Sequence, residues 1–319
     1  MNVLEALGKI GLIPLASVDR AEDAVGLVKA LQAGGIDTVE IAFRTECAAE
    51  AIRQVKSQVP DFLVGAGTVV NVEEARQARL AGADYIVMPG FDEAVVDWCG
   101  ENNLPVIPGC VTPTEIMKAV SRKLSVVKFF PAETFGGVKA CAGLAAPFRS
   151  VRFFVTGGIG PGNLSDYAQS ACICSIGGSW LCDKEAIRAK NWGKITATAK
   201  EAVARLLGYE VVHVGINTDG PEEAAAISKS LGDTFGFYSS VNPASTFVGT
   251  GFEINHSPGL GKNGHVAIDT NNVARAEYYL SKSGVSFNEA SRIKNGEKTA
   301  VVYLQQEFGD FAVHLRQRK

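Results

Sequence analysis

Residues 12–43 read LIPLASVDRAEDAVGLVKALQAGGIDTVEIAF, and this stretch determines the fold class of the first part of the chain. It opens and closes with apolar runs of strand length, Leu12–Ala16 and Thr38–Phe43. Between them, Ala21–Leu31 predicts an amphipathic helix. Its apolar stripe is formed by Ala24, Leu27, Val28 and Leu31. Strand, helix and strand in this order indicate parallel strands joined by a crossover helix.

The same alternation continues through about the first 200 residues. The further strand-length runs are Leu63–Thr68, Tyr85–Met88, Pro105–Pro108, Val126–Phe130, Phe153–Thr156 and Ile173–Ile176. Eight strands, each followed by a helix, predict an α/β fold of the (β/α)8 TIM-barrel type. An open doubly wound sheet is the alternative. The count of eight, with no dinucleotide-binding glycine fingerprint after the first strand, favours the barrel.

Composition limits the class of protein. The 319 residues allow one or two domains, and 46% apolar with 20% charged residues is a usual globular mixture. A net charge of −3 argues against nucleic-acid partners. No apolar run reaches the roughly 18 residues that span a bilayer, and the first residues lack a basic leader. We therefore expect a cytoplasmic protein with no membrane partner.

Cysteine and histidine divide the chain in two. All seven cysteines lie before residue 183, and all four histidines lie after residue 212. The odd number of cysteines and the absence of a CxxC pair indicate free thiols. The break near Leu207 predicts two domains, residues 1–207 and 208–319.

Barrel chemistry lies at the carboxyl ends of the strands, and Lys128 is the sharpest signal there. It is flanked by Val126, Val127, Phe129 and Phe130. Burial of an amine favours its neutral form, which attacks carbonyl groups. The alternatives are a lysine whose amine reaches out to water and a core ion pair between Lys128 and Glu40 or Glu133. Glu40, which shares a strand face with Ala42 and Arg44 by alternation, is a candidate general acid/base or a countercharge.

Anion-binding groups follow other strands. The guanidinium of Arg44 suits a carboxylate or phosphate, although a solvated loop arginine is the alternative. Gly157-Gly158 and Gly177-Gly178 end the seventh and eighth strands, where backbone N–H groups often bind phosphate.

Five motifs in this order resemble the KDPG/KHG aldolase family, the Entner–Doudoroff aldolases. They are VEIAFRTEC at 39–47, GAGTV at 65–69, KFFPAE at 128–133, TGGI at 156–159 and GGSW at 177–180. The resemblance implies a class I aldolase that cleaves 2-keto-3-deoxy-6-phosphogluconate (KDPG), 4-hydroxy-2-oxoglutarate or both. It also implies a homotrimer that uses no cofactor for this reaction.

Family roles match residues of this chain one by one. Lys128 matches the Schiff-base lysine, and Glu40 matches the general acid/base. Arg44 and Thr68 match the contacts of the substrate carboxylate, and Pro89 and Phe130 match residues that shape the pocket. The phosphate-binding positions are Thr156, Gly157, Gly158, Gly178 and Ser179. Ser17 stands near a place where many members carry a basic residue, which leaves the choice of substrate open.

The last 112 residues contain an internal repeat. HVGINT at 213–218 recurs as HVAIDT at 265–270. Helical stretches, Pro221–Leu231 and Asn271–Ser283, follow the two copies, and strand-like segments, Ser245–Ile254 and Thr299–Leu315, come after them. This pattern resembles the glyoxalase, or vicinal-oxygen-chelate, superfamily and implies a small α+β domain of two βαβββ repeats.

That resemblance implies a divalent metal held by His213, Glu253, His265 and His314, with Glu307 as a substitute. His256 reads as a loop residue with no role. Histidines hydrogen-bonded within the fold are the alternative. We expect first an aldolase with an accessory domain, then a bifunctional enzyme with a metal-dependent second site, and last a non-catalytic sugar-acid-binding protein.

Overall fold

The structure is a computed structural model that describes residues 2–318. The chain divides into two compact units, Met1–Leu206 and Leu207–Lys319. Each unit has its own sheet of eight strands.

The first unit alternates strands and helices. Its strands are β1 Leu12–Ala16, β2 Thr38–Ala42, β3 Leu63–Gly67, β4 Tyr85–Val87, β5 Val106–Ile107, β6 Val126–Phe129, β7 Arg152–Val155 and β8 Ile173–Gly178. Its helices are α1 Val3–Ile10, α2 Asp23–Ala33, α3 Ala48–Gln58, α4 Val72–Ala81, α5 Glu93–Glu101, α6 Pro113–Ser121, α7 Gly137–Ala145, α8 Leu164–Gln169, α9 Lys184–Arg188 and α10 Trp192–Leu207, and a 3-10 turn spans Ser179–Cys182.

All eight strands are parallel and lie in the order β5-β4-β3-β2-β1-β8-β7-β6. The seam between β5 and β6 is joined just beyond the end of β5. The Lys128 N–H donates to the Pro108 carbonyl, and the Cys110 N–H donates to the Lys128 carbonyl, each over 2.8 Å. Neighbours in space are neighbours in sequence, so the barrel prediction is confirmed and the open doubly wound sheet is wrong.

The barrel interior is packed near its amino-terminal end. Leu7 of α1 joins a buried cluster whose other members come from the strands: Ile13, Tyr85, Val87, Ile107, Val126 and Phe154. Helix α1 ends at Ile10, two residues before β1, and so covers this end of the barrel. Full burial of one such apolar side chain contributes about 1.5–3 kcal/mol to the free energy of folding. Chemistry is therefore confined to the opposite end, where the strands finish.

Predicted and observed strands agree closely, with differences at the strand ends. The second strand ends at Ala42, so the alternation expected for Glu40, Ala42 and Arg44 stops before Arg44. The Arg44 N–H instead donates to the Ala42 carbonyl within a tight turn. Arg44 consequently leaves the strand face that carries Glu40.

The second unit contains two copies of one pattern, strand–helix–three strands. The first copy is β9 Glu210–Ile216, α11 Pro221–Phe235, β10 Ser239–Val241, β11 Ser245–Val248 and β12 Phe252–Asn255. The second is β13 Gly264–Thr270, α12 Val273–Lys282, β14 Phe287–Asn295, β15 Lys298–Leu304 and β16 Phe311–Gln317. The sequence did not single out β10 and β14, because β10 is short and wholly exposed and β14 lacks apolar alternation.

Sheet pairing relates the two copies by a pseudo-twofold axis. Strands β9 and β13 pair antiparallel at the centre, and each pairs in parallel with the last strand of its own copy. Glu253 of β12 lies opposite Gly215, two residues after His213. His314 of β16 lies opposite Ala267, two residues after His265. The four predicted ligand positions are therefore equivalent in pairs.

Among residues 2–318, no helix combines the length and apolar character needed to cross a membrane. The cytoplasmic location stays a prediction.

Candidate active site

The barrel brings Lys128 and Glu40 together across its interior. Each is the third residue of its strand, Lys128 in β6 and Glu40 in β2. Strand alternation turns both side chains inward, and the Lys128 Nζ lies 3.5 Å from the Glu40 Oε1. Residues 88 apart in sequence thus form one centre.

This centre is buried. Glu40 is 1% exposed and Lys128 is 5% exposed. The second carboxylate oxygen, Oε2 of Glu40, has no hydrogen-bond partner among the described residues. A buried carboxylate oxygen without a partner is costly, which marks a place where a substrate hydroxyl or a water can bind.

Aromatic rings border the amine. The Lys128 Nζ lies 5.4 Å from the centre of the Phe130 ring and 5.8 Å from that of Phe154. Both rings exclude water while their faces attract a cation. The same surroundings suit a positively charged iminium.

Gly67 makes room for the carboxylate. A Cβ placed on Gly67 would lie 2.1 Å from the Glu40 Oε1, too close for any side chain. The glycine of the GAGTV motif therefore allows Glu40 to lie across the end of β3.

The next residue, Thr68, has a strained backbone. Its φ of 61° is in the left-handed region, which a β-branched residue rarely adopts. Such strain persists where the surrounding structure enforces it, and it is concentrated at functional sites. The surrounding structure thus holds Thr68, at the carboxyl end of β3, in a backbone conformation that threonine does not favour.

The other rim residues follow neighbouring strands. Pro89 is half-buried after β4, Phe130 follows β6 directly, and Arg44 is exposed in the turn after β2. All lie at the carboxyl end of the barrel. No hydrogen bond or ion pair joins Arg44 to Glu40 or Lys128 in residues 2–318.

The glycine loops form another part of this rim. Thr156 is buried directly after β7, and Gly157 and Gly158 have φ values of 98° and 80°. The carbonyls of both glycines face the protein: Gly157 accepts from the Glu133 N–H, and Gly158 accepts from the Asn163 side chain. In the described chain no protein acceptor takes the N–H of either glycine. These N–H groups are therefore available to an anion.

The neighbouring loop follows β8. Gly178 is the last residue of β8, and Ser179 is exposed at the start of the 3-10 turn. Strand β8 pairs with β7, so both glycine loops lie side by side.

Sequence reasoning missed three contributors to this site. Phe154 carries no signal beyond its inward alternation in β7, and Gly67 was quoted only as part of a motif. Gly109 bridges Lys128 across the seam, where a Cβ would collide with the Pro89 carbonyl. Only a three-dimensional arrangement reveals these close approaches.

The second unit brings the predicted metal ligands together. The ring nitrogens of His213, His265 and His314 lie within 4.8 Å of one another, and all three residues are buried. Glu253 Oε2 lies 3.1 Å from the His213 Nε2 and 3.3 Å from the His265 Nε2. These residues occupy four adjacent strands and face the same side of the sheet.

Electrostatics distinguish the members of this cluster. Hydrogen bonds from His213, and then from His265, hold the pKa of Glu253 well below its usual range. Burial, reinforced by the neighbouring histidines, lowers the pKa of His314 to about 3. Neither ring nitrogen of His314 has a hydrogen-bond partner among residues 2–318. His314 is thus a neutral imidazole with two free ring positions, one of which can bind a metal.

Two other candidates lie apart from the cluster. The His256 Nε2 is 2.9 Å from the Thr246 hydroxyl, so that ring is satisfied within the fold. Glu307 is exposed in the turn between β15 and β16 and is outside the group. Tyr303 and Phe247 contact the cluster instead, with ring centres 4.6 Å from His314 and 5.5 Å from His213 respectively.

A parallel barrel with a buried amine and a buried carboxylate at its strand ends is the arrangement of a class I aldolase. The family model described as "KDPG and KHG aldolase" matches residues 3–198. The chain belongs to this family, which confirms the resemblance over the barrel. Residues 199–319 lie outside the matched range.

Relatives of known identity agree. A 2-dehydro-3-deoxy-phosphogluconate aldolase of Treponema pallidum is 43% identical over 203 residues, which are 64% of this chain and 97% of that protein. The KHG/KDPG aldolase of Escherichia coli is 43% identical over 192 residues, 60% of this chain and 90% of that protein. The crystal structure of KDPG aldolase from Legionella pneumophila, with pyruvate captured as a covalent carbinolamine, is 32% identical, with a TM-score of 0.61, and covers 62% of this chain and 97% of that one.

Proposed function

We propose that the barrel cleaves a 2-keto-3-deoxy or 2-keto-4-hydroxy acid through a Schiff base on Lys128. The observation that carries this proposal is the buried contact between the Lys128 Nζ and Glu40, whose Oε2 has no partner among the described residues. A buried amine beside a carboxylate oxygen without a protein partner supplies the two groups that class I aldol cleavage requires.

Substrate binding uses the rim. Arg44 and Thr68 bind the carboxylate next to the keto group, while Pro89 and Phe130 enclose the carbon chain. The N–H groups of Gly157 and Gly158, with Thr156, Gly178 and Ser179, bind the distal phosphate or carboxylate. The loop N–H groups without a protein acceptor support this orientation.

Cleavage proceeds in four steps. The neutral Lys128 amine attacks the C2 ketone, and loss of water gives an iminium. Glu40 takes the proton of the C4 hydroxyl, the C3–C4 bond breaks, and its electrons pass into the iminium to give an enamine. The aldehyde leaves, and protonation at C3 restores an iminium. Water then releases pyruvate and regenerates the lysine.

Two substrates fit this scheme. KDPG yields pyruvate and glyceraldehyde 3-phosphate, whereas 4-hydroxy-2-oxoglutarate yields pyruvate and glyoxylate. Each carries an anion at the end remote from the keto group. The mechanism uses protein groups alone. A homotrimer stays a prediction.

Borohydride trapping tests this proposal. Wild-type protein is incubated with pyruvate, reduced, digested and mapped by mass spectrometry. We expect a reduced pyruvyl adduct on Lys128 and none in the Lys128→Met variant. An adduct at another lysine, or none in folded protein, contradicts the proposal. Lys128 would then be only the cationic half of a core ion pair.

For the second unit we propose a glyoxalase-like module that binds one divalent transition metal. Its two strand–helix–three-strand copies support the resemblance, and the orphaned ring nitrogens of His314 support a metal. His213, His265, His314 and Glu253 would hold the ion, which would supply a Lewis acid. Phe247 and Tyr303 border this centre and exclude water from its sides.

Metal analysis of the full chain tests this second proposal. Protein is offered Zn²⁺, Mn²⁺, Co²⁺ or Ni²⁺, and the bound metal is counted after desalting. We expect about one ion per chain in the wild type and a loss of binding in His265→Ala. His256→Ala is the matched control, because it removes a histidine of the same unit outside the cluster. Wild-type protein that retains none of these ions contradicts the proposal and leaves an accessory or structural module.

A further inference from the structure

A hydrogen-bonded pair outside the reacting groups holds the glycine loop after β7. Tyr167, in α8, donates its hydroxyl to the Glu133 carboxylate. Tyr167 is 1% exposed, and burial, reinforced by Glu133, raises the pKa of its phenol. The hydroxyl therefore remains a donor throughout the neutral range. Nothing in the proposed chemistry uses either residue.

Glu133 contacts the loop with its backbone and its side chain. Its N–H donates to the Gly157 carbonyl over 3.1 Å. Its Cβ and Cγ would each lie 2.6 Å from a Cβ built on Gly158, so the side chain covers that glycine closely. Glu133 thus contacts both left-handed glycines.

The same segment holds the pocket aromatic. Phe130 lies three residues before Glu133, and the intervening Ala132 N–H donates to the Thr156 carbonyl over 2.8 Å. The loop after β6 is in this way joined to the loop after β7. The Gly157 N–H belongs to the same planar peptide as the Thr156 carbonyl, and the Gly158 N–H belongs to that of the Gly157 carbonyl. The hydrogen bonds to these two carbonyls therefore determine where both glycine N–H groups point.

We propose that Tyr167 and Glu133 are positioning residues that hold the Gly157–Gly158 N–H groups toward the distal anion of the substrate. This inference rests on the proposed aldolase function and deepens it. The side-chain contacts of the pair itself reach the glycine loop and not Lys128 or Glu40, so we expect its loss to weaken binding of the distal anion first. It therefore affects binding of a phosphorylated substrate and leaves Schiff-base formation with pyruvate untouched, since pyruvate has no distal anion.

Steady-state kinetics with KDPG and borohydride trapping with pyruvate separate these effects. For Tyr167→Phe and Glu133→Ala we expect the KM for KDPG to rise about 5-fold or more, because each variant loses one buried hydrogen bond. We expect kcat to stay within about twofold of wild type, because binding of the anion weakens equally in the ground state and in the transition state. The rate of pyruvate trapping on Lys128 stays at the wild-type value.

Two further variants make the test specific. Glu133→Gln keeps an acceptor oxygen for Tyr167 and removes the charge, so its KM should stay at or below the wild-type value. Thr196→Val removes a comparable hydrogen bond, 2.9 Å to the Ala30 carbonyl, between α10 and α2. It should lower the melting temperature without changing the KM.

Each outcome decides. An unchanged KM in both Tyr167→Phe and Glu133→Ala overturns the proposal, and so does a parallel fall in pyruvate trapping, which would mean general damage to the barrel. Failure of wild-type protein to trap pyruvate overturns the aldolase function itself. Wild-type protein that traps pyruvate but does not cleave KDPG overturns only the assignment of the glycine loop to a phosphate.

Discussion

The variant Glu40→Gln separates the two parts of the proposed chemistry. Glutamine has the shape of glutamate, so it fits the space that Gly67 leaves over the end of β3. It keeps the oxygen near the Lys128 Nζ but cannot accept the C4 hydroxyl proton. We expect kcat for KDPG cleavage to fall about 100- to 10,000-fold, the usual contribution of a positioned acid or base.

That loss corresponds to roughly 3–5 kcal/mol of barrier. It is measured as pyruvate release coupled to lactate dehydrogenase, with NADH absorbance as the signal. In the same protein, trapping of pyruvate on Lys128 should persist, because attack on the ketone requires the amine. A cleavage defect with retained trapping identifies Glu40 as the acid/base.

Glu40→Asp is the matched control. It keeps the charge but withdraws the carboxylate by about one methylene, and a misplacement of about 1 Å can cost about 100-fold. Its kcat should therefore lie between those of Glu40→Gln and wild type. Glutamine at this position with kcat within about threefold of wild type would refute the reasoning and reduce Glu40 to a countercharge.

Three further variants probe the surroundings. Gly67→Ala should lower both kcat and the melting temperature, because its Cβ would collide with the Glu40 Oε1, and overpacking costs about 1–3 kcal/mol; wild-type values for both would contradict the close approach. Thr68→Val keeps the branched side chain and should raise the KM about 5-fold through loss of one hydroxyl contact, with unchanged stability; Thr68→Ser, which keeps the hydroxyl, is the control, and equal KM values in the two would argue against a role for the hydroxyl. His314→Ala should weaken metal retention by the full chain at least 10-fold and leave KDPG cleavage unchanged; metal retention equal to wild type would remove His314 from the ligand set.

Much of the barrel could be predicted from the sequence, because each strand lies in an apolar run between helical patterns. Leu12–Ala16 is a strand over its whole predicted range. The strand ends were less predictable, since hydrophobicity continues into Phe43 and Phe130, one residue beyond the end of each observed strand. Arg44 illustrates the consequence, because its face depends on where the strand ends.

Part of the candidate site could be predicted, because strand alternation and location near the strand ends restrict which side chains can reach it. A lysine inside an apolar strand is conspicuous, and the contact of Lys128 with Glu40 follows from closing the ring. The roles of Gly67, Phe154 and Tyr167 could not be predicted. Each depends on an approach between segments that no local pattern encodes. An example is the hydrogen bond from the Tyr167 hydroxyl in α8 to Glu133 in the loop after β6.

The closure of the ring has a consequence for dynamics. Both backbone groups of Lys128 join the seam between β5 and β6, and β5 itself has only two residues in ladder geometry. Local opening at this seam would carry the nucleophile away from Glu40 before the rest of the barrel unfolds. Amide hydrogen exchange at Lys128 and Cys110 therefore reports the fraction of time for which the catalytic pair is assembled. Ligands that bridge the opening, such as a trapped keto acid, should slow that exchange more than exchange in β1 or β2.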